Sequence, residues 1–184
     1  NQHKKWRTKC FNVIDEYLKP SPKTILDIGC GSAFESTLFH KKYNCELWLL
    51  EGDYNSNTKE KTRSIDYGDV NDFRFYSKIS DLKKIWDQNI SNYVFVDANN
   101  INIPENKKFD YICSYSSCGV HYPLETYKEL ILKHSHKNTV CIFGLRNYIH
   151  PMYNKIQIIH KLMEGGRTNP KSNGTNSVLT HIKL

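Results

Sequence analysis

Three carboxylates stand at the ends of apolar runs. Asp27 lies near the end of Thr24-Ile-Leu-Asp-Ile28, Glu51 follows Glu46-Leu-Trp-Leu-Leu50, and Asp97 follows Asn92-Tyr-Val-Phe-Val96. Directly behind the first comes the turn Gly29-Cys30-Gly31, whose glycines let the backbone bend tightly and approach a ligand where any Cβ would intrude. A carboxylate beside such a turn can hold a cation such as an amino group. Glu51 stands 24 positions beyond Asp27, near the roughly 20 at which an acid reaches the hydroxyls of a ribose. A carboxylate suits that role because it accepts from two hydroxyls at once. Gly52 follows it directly. Asp97, with the Ala98 backbone N–H, offers the acceptor and donor needed along the edge of an adenine.

The turn runs into Ser32-Ala-Phe-Glu35, which reads as a capping box opening a helix. A dinucleotide fingerprint would need a third glycine where Phe34 stands, because that glycine lets the helix pack close to a pyrophosphate. With Phe34 there and an acid just ahead of the turn, the expected ligand carries an amino group in place of a diphosphate.

The elements that must position these residues follow from periodicity. Trp6, Cys10, Val13, Ile14, Tyr17 and Leu18 predict a helix over about 3–18, which Lys19-Pro-Ser-Pro22 ends, so that residues 1–22 form an N-terminal helical segment. A second helix spans about 33–43 with Phe34, Leu38 and Phe39 inward. The continuous apolar runs fit parallel strands covered on both faces. Ile79, Leu82, Ile85 and Trp86 mark a third helix, Lys108–Ser114 a fourth strand, Leu124, Tyr127, Leu130 and Ile131 a helix behind Pro123, and Thr139–Phe143 a fifth strand. Met152, Ile156, Ile159 and Met163 predict a further helix opened by Pro151 and closed by Gly165-Gly166. Ser177–Leu184 alternates and reads as a sixth, edge strand. This alternation predicts an α/β fold, a three-layer sandwich with a mostly parallel sheet, in one domain over 1–184. The polar stretch 52–77 is either a lid over the ligand or a surface loop with one short extra strand.

Composition narrows the class. A chain of 184 residues can bury a substantial core. The net charge of +7 admits an anionic partner, yet the lysines are scattered and form no dense block, so nucleic acid is admitted but not favoured. The six cysteines include no Cys-x-x-Cys pair, and Cys30, Cys45, Cys113 and Cys141 lie in or beside apolar runs. Free buried thiols in a reducing cytoplasm fit better than a disulfide scaffold. No run reaches membrane-spanning length and the first residues lack an apolar signal core, so a cytoplasmic protein without membrane contact is expected. His134-Ser-His136 has no third ligand nearby in sequence and reads as polar surface, so no metal site is expected.

As a series covering about residues 1–146, Leu26-Asp-Ile-Gly-Cys-Gly31, Glu51, Val96-Asp-Ala98 and Phe109-Asp-Tyr-Ile-Cys-Ser114 resemble the successive motifs of class I S-adenosylmethionine-dependent methyltransferases. The resemblance implies a Rossmann-like fold, S-adenosylmethionine as methyl donor and S-adenosylhomocysteine as product. It implies that Asp27, Gly29, Cys30 and Gly31 cradle the methionine end. Glu51 with Gly52 would hold the ribose, Asp97 with Ala98 the adenine, and Ser114 to Ser116 would line the mouth through which the methyl group leaves.

The segment from Ser114 to Tyr127 is where such enzymes choose their acceptor. Amino-methylating DNA enzymes of the class carry Asp/Asn-Pro-Pro-Tyr/Phe here, and this chain does not. Its His-Tyr-Pro followed by Glu-Thr-Tyr is loosely similar to small methyltransferase-like proteins of glycan modification. A hydroxyl acceptor needs a base, and His121, just past a strand's carboxyl end, has the pKa class for it; the bland alternative is a loop or helix-cap hydrogen bond. Tyr115 and Tyr122 would wall the acceptor pocket or simply pack, and Arg146 would meet an anionic group of the acceptor. The expected activity is O-methylation of a small molecule or glycan. An RNA or protein methyltransferase and a non-catalytic S-adenosylmethionine-binding partner subunit are the alternatives. The family closes its sheet with an antiparallel hairpin, whereas one terminal strand is visible here. Either the C-terminal pair is trimmed or a terminal piece lies outside this chain, and a missing strand would leave an open edge through which a second copy could form a homo-oligomer.

Overall fold

The apolar runs form strands because a residue pair facing opposite ways must be buried on both sides. Along β1 (Thr24–Ile28), Ile25 joins the core on one face of the sheet, while Leu26 and Ile28 join the core on the other. β2 (Glu46–Glu51) behaves likewise, with Leu47 and Leu49 on the first face and Trp48 and Leu50 on the second. The remaining strands are β3 (Tyr93–Asp97), β4 (Tyr111–Ser114), β5 (Val140–Arg146), β6 (Gln157–Glu164) and β7 (Ser177–Lys183). The computed structural model describes residues 2–56, 77–120, 124–146, 157–164 and 177–184.

The helices are α1 (Gln2–Tyr17), α2 (Phe34–Tyr43), α3 (Ile79–Asn89) and α4 (Lys128–His134), the last preceded by a 3₁₀ turn over Leu124–Tyr127. Cys10 and Ile14 of α1, Phe39 of α2 and Trp86 of α3 cover the first face of the sheet, and Leu124, Tyr127 and Ile131 cover the second. The result is three layers around a seven-stranded sheet of order β3-β2-β1-β4-β5-β7-β6. The first five strands are mutually parallel, and β7 runs antiparallel between β5 and β6. The order reverses between β1 and β4, which places the ligand crevice at their carboxyl ends. Among the described residues no helix is long and apolar enough to cross a membrane.

Three local expectations are corrected. The segment expected as a helix over Met152 to Met163 holds strand β6 at Gln157–Glu164. Its pairing with β7 is irregular, with register shifts between Ile158 and His160 and between Lys161 and Met163. Such bulges break the two-residue alternation and leave apolar spacings that imitate a helix. With β6 present, the antiparallel pair is not trimmed, and the edge at which a second copy was expected to complete the sheet is occupied by the chain's own strand. The second correction concerns α2, whose buried face carries Glu35, Ser36, Thr37 and His40 beside Phe39, while Phe34 and Leu38 are half-buried. The third is His134, which is buried and not surface: its Nδ1 lies 2.8 Å from the Lys107 carbonyl oxygen.

Candidate functional site

At the top of β1 the chain turns through Gly29 (φ 65°), Gly31 (φ 51°) and Ala33 (φ 50°) before α2 begins. Positive φ suits the two glycines and is uncommon for alanine. The Gly29 and Cys30 N–H groups both donate to the Leu50 carbonyl of β2, at 2.8 and 3.2 Å. Gly31 is held at both ends: its N–H donates to Glu51 Oε2 at 2.7 Å, and its carbonyl accepts from Trp86 Nε1 at 3.1 Å. A Cβ built on Gly31 would meet nothing within 4 Å. The open side of the turn is therefore the side on which a ligand has room.

Ser32 and Glu35 do not form the expected capping box; the residue at the helix cap, Ala33, makes no side-chain cap bond. Arg7 of α1 captures both. Its Nη1 donates to Ser32 Oγ at 3.0 Å, its Nε donates to both oxygens of Glu35 at 2.8 and 2.9 Å, and its Nη2 makes a further short contact to Glu35. Glu35 is fully buried, and the guanidinium also lies 5.0 Å from the centroid of the Phe34 ring. The fork of an arginine matches a carboxylate better than a backbone N–H does, so this long-range ion pair outcompetes the local cap.

Asp27 points from β1 toward the same helix. It is 1% exposed, accepts from Ser36 Oγ at 2.6 Å through one oxygen, and has no hydrogen-bond partner for the other. Burial pushes its carboxyl up to about 7, with Glu35 and Glu51 adding to the rise and Ser36 and Arg7 opposing it. A buried carboxylate oxygen left without a donor costs free energy unless a ligand satisfies it.

Glu51 closes β2 in register with Asp97 at the end of β3. Burial raises the Glu51 carboxyl despite the bonds from the Gly31 and Gly52 N–H groups, the latter at 3.1 Å. Asp97 is exposed and accepts from the Asn99 backbone N–H at 2.9 Å. The Ala98 N–H donates to the Glu51 carbonyl at 3.0 Å, so it serves the strand end in this structure. Beyond β2, Asp53 accepts from the Ile79 N–H at 3.3 Å and Tyr54 N–H donates to the Ser77 carbonyl at 3.0 Å. The two ends of the stretch expected as a lid or surface loop are thereby tied together, while residues 57–76 themselves lie outside the described set.

After β4, Ser114 is fully buried and its Oγ accepts from the Cys118 N–H at 2.8 Å, so it braces the following turn. Tyr115 is buried, with its hydroxyl 3.0 Å from that of Tyr111. The turn lies against β5 at close range: a Cβ on Gly144 would fall 2.3 Å from the Tyr115 carbonyl oxygen, and one on Gly119 (φ +90°) 2.9 Å from the Gly144 oxygen. His121 and Tyr122 lie outside the described residues. Arg146 ends β5 opposite Ser177, and its side chain also lies outside the described set.

The structure thus gathers Asp27, Gly29, Cys30, Gly31, Glu51 and Gly52 around one turn, with Asp97 and Ala98 on the adjoining strand end. Arg7, Glu35, Ser36 and Trp86 are the members that sequence reading missed. Arg7 had one signal: it falls on the stripe of Cys10 and Ile14 at helical spacing, where a charge needs a buried partner. All six cysteines are buried thiols outside any disulfide, and burial raises them.

No protein-family model matches the sequence, and no curated protein matches it by sequence. Solved structures do match in shape. The ribosomal protein L11 methylase from Lactobacillus delbrueckii subsp. bulgaricus is similar with a TM-score of 0.56 over 97% of this chain and 78% of that one, at 16% identity. StiE O-MT is similar with a TM-score of 0.61 over 96% and 72%, at 10% identity. The plantazolicin methyltransferase BpumL, solved in complex with SAH, is similar with a TM-score of 0.52 over 77% of this chain and 47% of that chain, at 20% identity. At these identities the likeness is one of fold: this chain has the Rossmann-like fold of the class I methyltransferases.

Proposed function

We propose that the chain is an S-adenosylmethionine-dependent methyltransferase whose cofactor lies against the Gly29–Gly31 turn and whose acceptor is a hydroxyl of a small molecule or glycan. The observation that carries the cofactor reading is the buried, unpartnered oxygen of Asp27, on the strand that runs into the turn where Gly31 leaves room. A ligand ammonium would supply the donor that this oxygen lacks. Bound there, S-adenosylmethionine supplies an electrophilic methyl group carried on a positively charged sulfur. The chain's part is to hold and orient. Asp27 takes the ammonium, Glu51 accepts from the ribose hydroxyls through the lone pairs left after its bonds to Gly31 and Gly52, and Asp97 accepts at the adenine edge. Three carboxylates on one strand-end line also favour a cationic ligand over an anionic one.

For the acceptor half, His121 is the base that takes the hydroxyl proton, Tyr122 and Tyr115 border the acceptor, and Arg146 meets an anionic group on it. The turn that precedes His121 in the chain is braced by Ser114 and by the close passage of Gly119 against Gly144. The cytoplasm is the proposed compartment, in keeping with six buried thiols outside any disulfide.

Calorimetry with S-adenosylhomocysteine tests the first half: saturable binding in the micromolar range is expected, and its absence overturns the cofactor reading. Transfer of labelled methyl to a panel of hydroxyl acceptors tests the second. Turnover that survives unchanged in His121→Ala removes His121 as the base. Turnover on RNA or protein alone replaces the acceptor class, and binding without turnover on any acceptor supports a partner-subunit role instead.

A further inference from the structure

We propose that Arg7 of the N-terminal helix is the residue that recognises the carboxylate of the cofactor's amino-acid end, making the site a receptor for a whole α-amino-acid zwitterion. This rests on the cofactor reading above and adds the half that the turn's own residues do not supply.

A methionine tail carries an ammonium and a carboxylate on one carbon, so a site that holds it needs an anion and a cation a few ångströms apart. Asp27 is the anion, with one oxygen unpartnered. The acids that surround the turn, Glu35 and Glu51, cannot serve a carboxylate. Arg7 can, because it is the cation bonded at the turn itself, to Ser32 and to Glu35. Ser36, which donates to Asp27, is the chain neighbour of Glu35, which binds Arg7. The two charges therefore flank the same first turn of α2.

The guanidinium is also preorganised for such a ligand. Glu35 occupies the edge formed by Nε and Nη2, and Ser32 takes one N–H of Nη1. Of the five N–H donors of an arginine, one on each terminal nitrogen is left over among the described residues. Glu35 and the Phe34 ring fix the plane of the group, and its side chain keeps 17% exposure, enough for a ligand to reach it. The anchoring of α1 sets its reach. Its far end is fixed on the same face of the sheet, where the Tyr17 hydroxyl lies 2.7 Å from His181 Nδ1, and its early part is fixed to the turn by the bonds of Arg7 to Ser32 and Glu35.

The test compares S-adenosylhomocysteine with its decarboxylated counterpart by calorimetry. The wild type should bind the carboxylate-bearing ligand roughly 10- to 100-fold more tightly, the range of a charge-assisted pair of hydrogen bonds. Arg7→Gln should lose that preference while binding the decarboxylated ligand within about twofold of wild type, since only the recognised group has changed. If removal of Arg7 leaves Glu35 too costly to bury, the double variant Arg7→Gln with Glu35→Gln exchanges the ion pair for two neutral amides and carries the same comparison. A wild type that binds both ligands equally overturns the proposal, as does a variant that weakens both alike, because Arg7 would then act through the fold alone. A wild type that binds neither ligand overturns the cofactor reading itself, and this one with it.

Discussion

Asp27→Asn should change the pH dependence of stability in a direction opposite to that of most carboxylate variants. The Asp27 carboxyl titrates near 3.8 in an unfolded chain and is raised to about 7 in the folded one. Between those values the folded protein binds more protons than the unfolded one, so stability falls as pH rises through this window and is level below and above it. A displacement of this size corresponds to roughly 4 kcal/mol. The group is fully buried, so solvent screening removes little of it. Asparagine keeps an acceptor for Ser36 but places an amide nitrogen where the unpartnered oxygen stands, at a cost of about 1–3 kcal/mol that does not depend on pH. The absolute stability of the variant is therefore a poor readout, and the difference between variant and wild type across pH is the sound one. Thermal unfolding of both proteins at pH 4.5, 6 and 8 should show the variant gaining on the wild type as pH rises, by about 10 °C in total for a chain of this length. A difference that is constant with pH, or that shrinks as pH rises, refutes the burial of an unpartnered, protonatable Asp27. The same variant should bind S-adenosylhomocysteine at least about tenfold more weakly at pH 8, because a residue that is costly to the fold is kept for its ligand.

Other variants probe the supports of the site. Trp86→Phe removes the indole N–H that holds the Gly31 carbonyl at 3.1 Å; urea unfolding should show a loss of roughly 2 kcal/mol, and S-adenosylhomocysteine should bind more weakly. Gly144→Ala drives a methyl group against the Tyr115 carbonyl oxygen, so the turn before His121 must move; a cost of about 1–3 kcal/mol by thermal unfolding is expected. Asp110 accepts from the Lys23 and Thr24 N–H groups at 2.8 and 3.1 Å, and these bonds outweigh burial and hold its carboxyl low. Asp110→Asn should cost about 1 kcal/mol at neutral pH, and that cost should vanish as pH falls through the wild-type carboxyl's depressed value, as acid titrations of unfolding would show.

The parts of this protein legible in its sequence are those governed by local rules. Burial on both faces makes an unbroken apolar run, so the five parallel strands and the acids at their ends, Asp27, Glu51 and Asp97, could be placed from residue types alone. The Gly29–Gly31 turn was legible for the same reason, since its backbone conformation favours glycine. What local rules could not settle is where long-range partners compete with short-range ones. Strand β6 reads as a helix because two bulges against β7 destroy the alternation by which a strand is recognised. Ser32 and Glu35 read as a cap because the competitor that claims them, Arg7, lies 28 positions from Glu35 in the chain and reaches it only when α1 packs on α2. The charge pattern of the site, with a guanidinium bound to Ser32 and to Glu35 of the helix whose Ser36 holds Asp27, is thus a product of tertiary packing. Residue types along the chain were enough to place the strand-end acids and the turn. The packing of α1 against α2 decided which charges surround them, because the pairing of buried charges depends on distance in space and not along the chain.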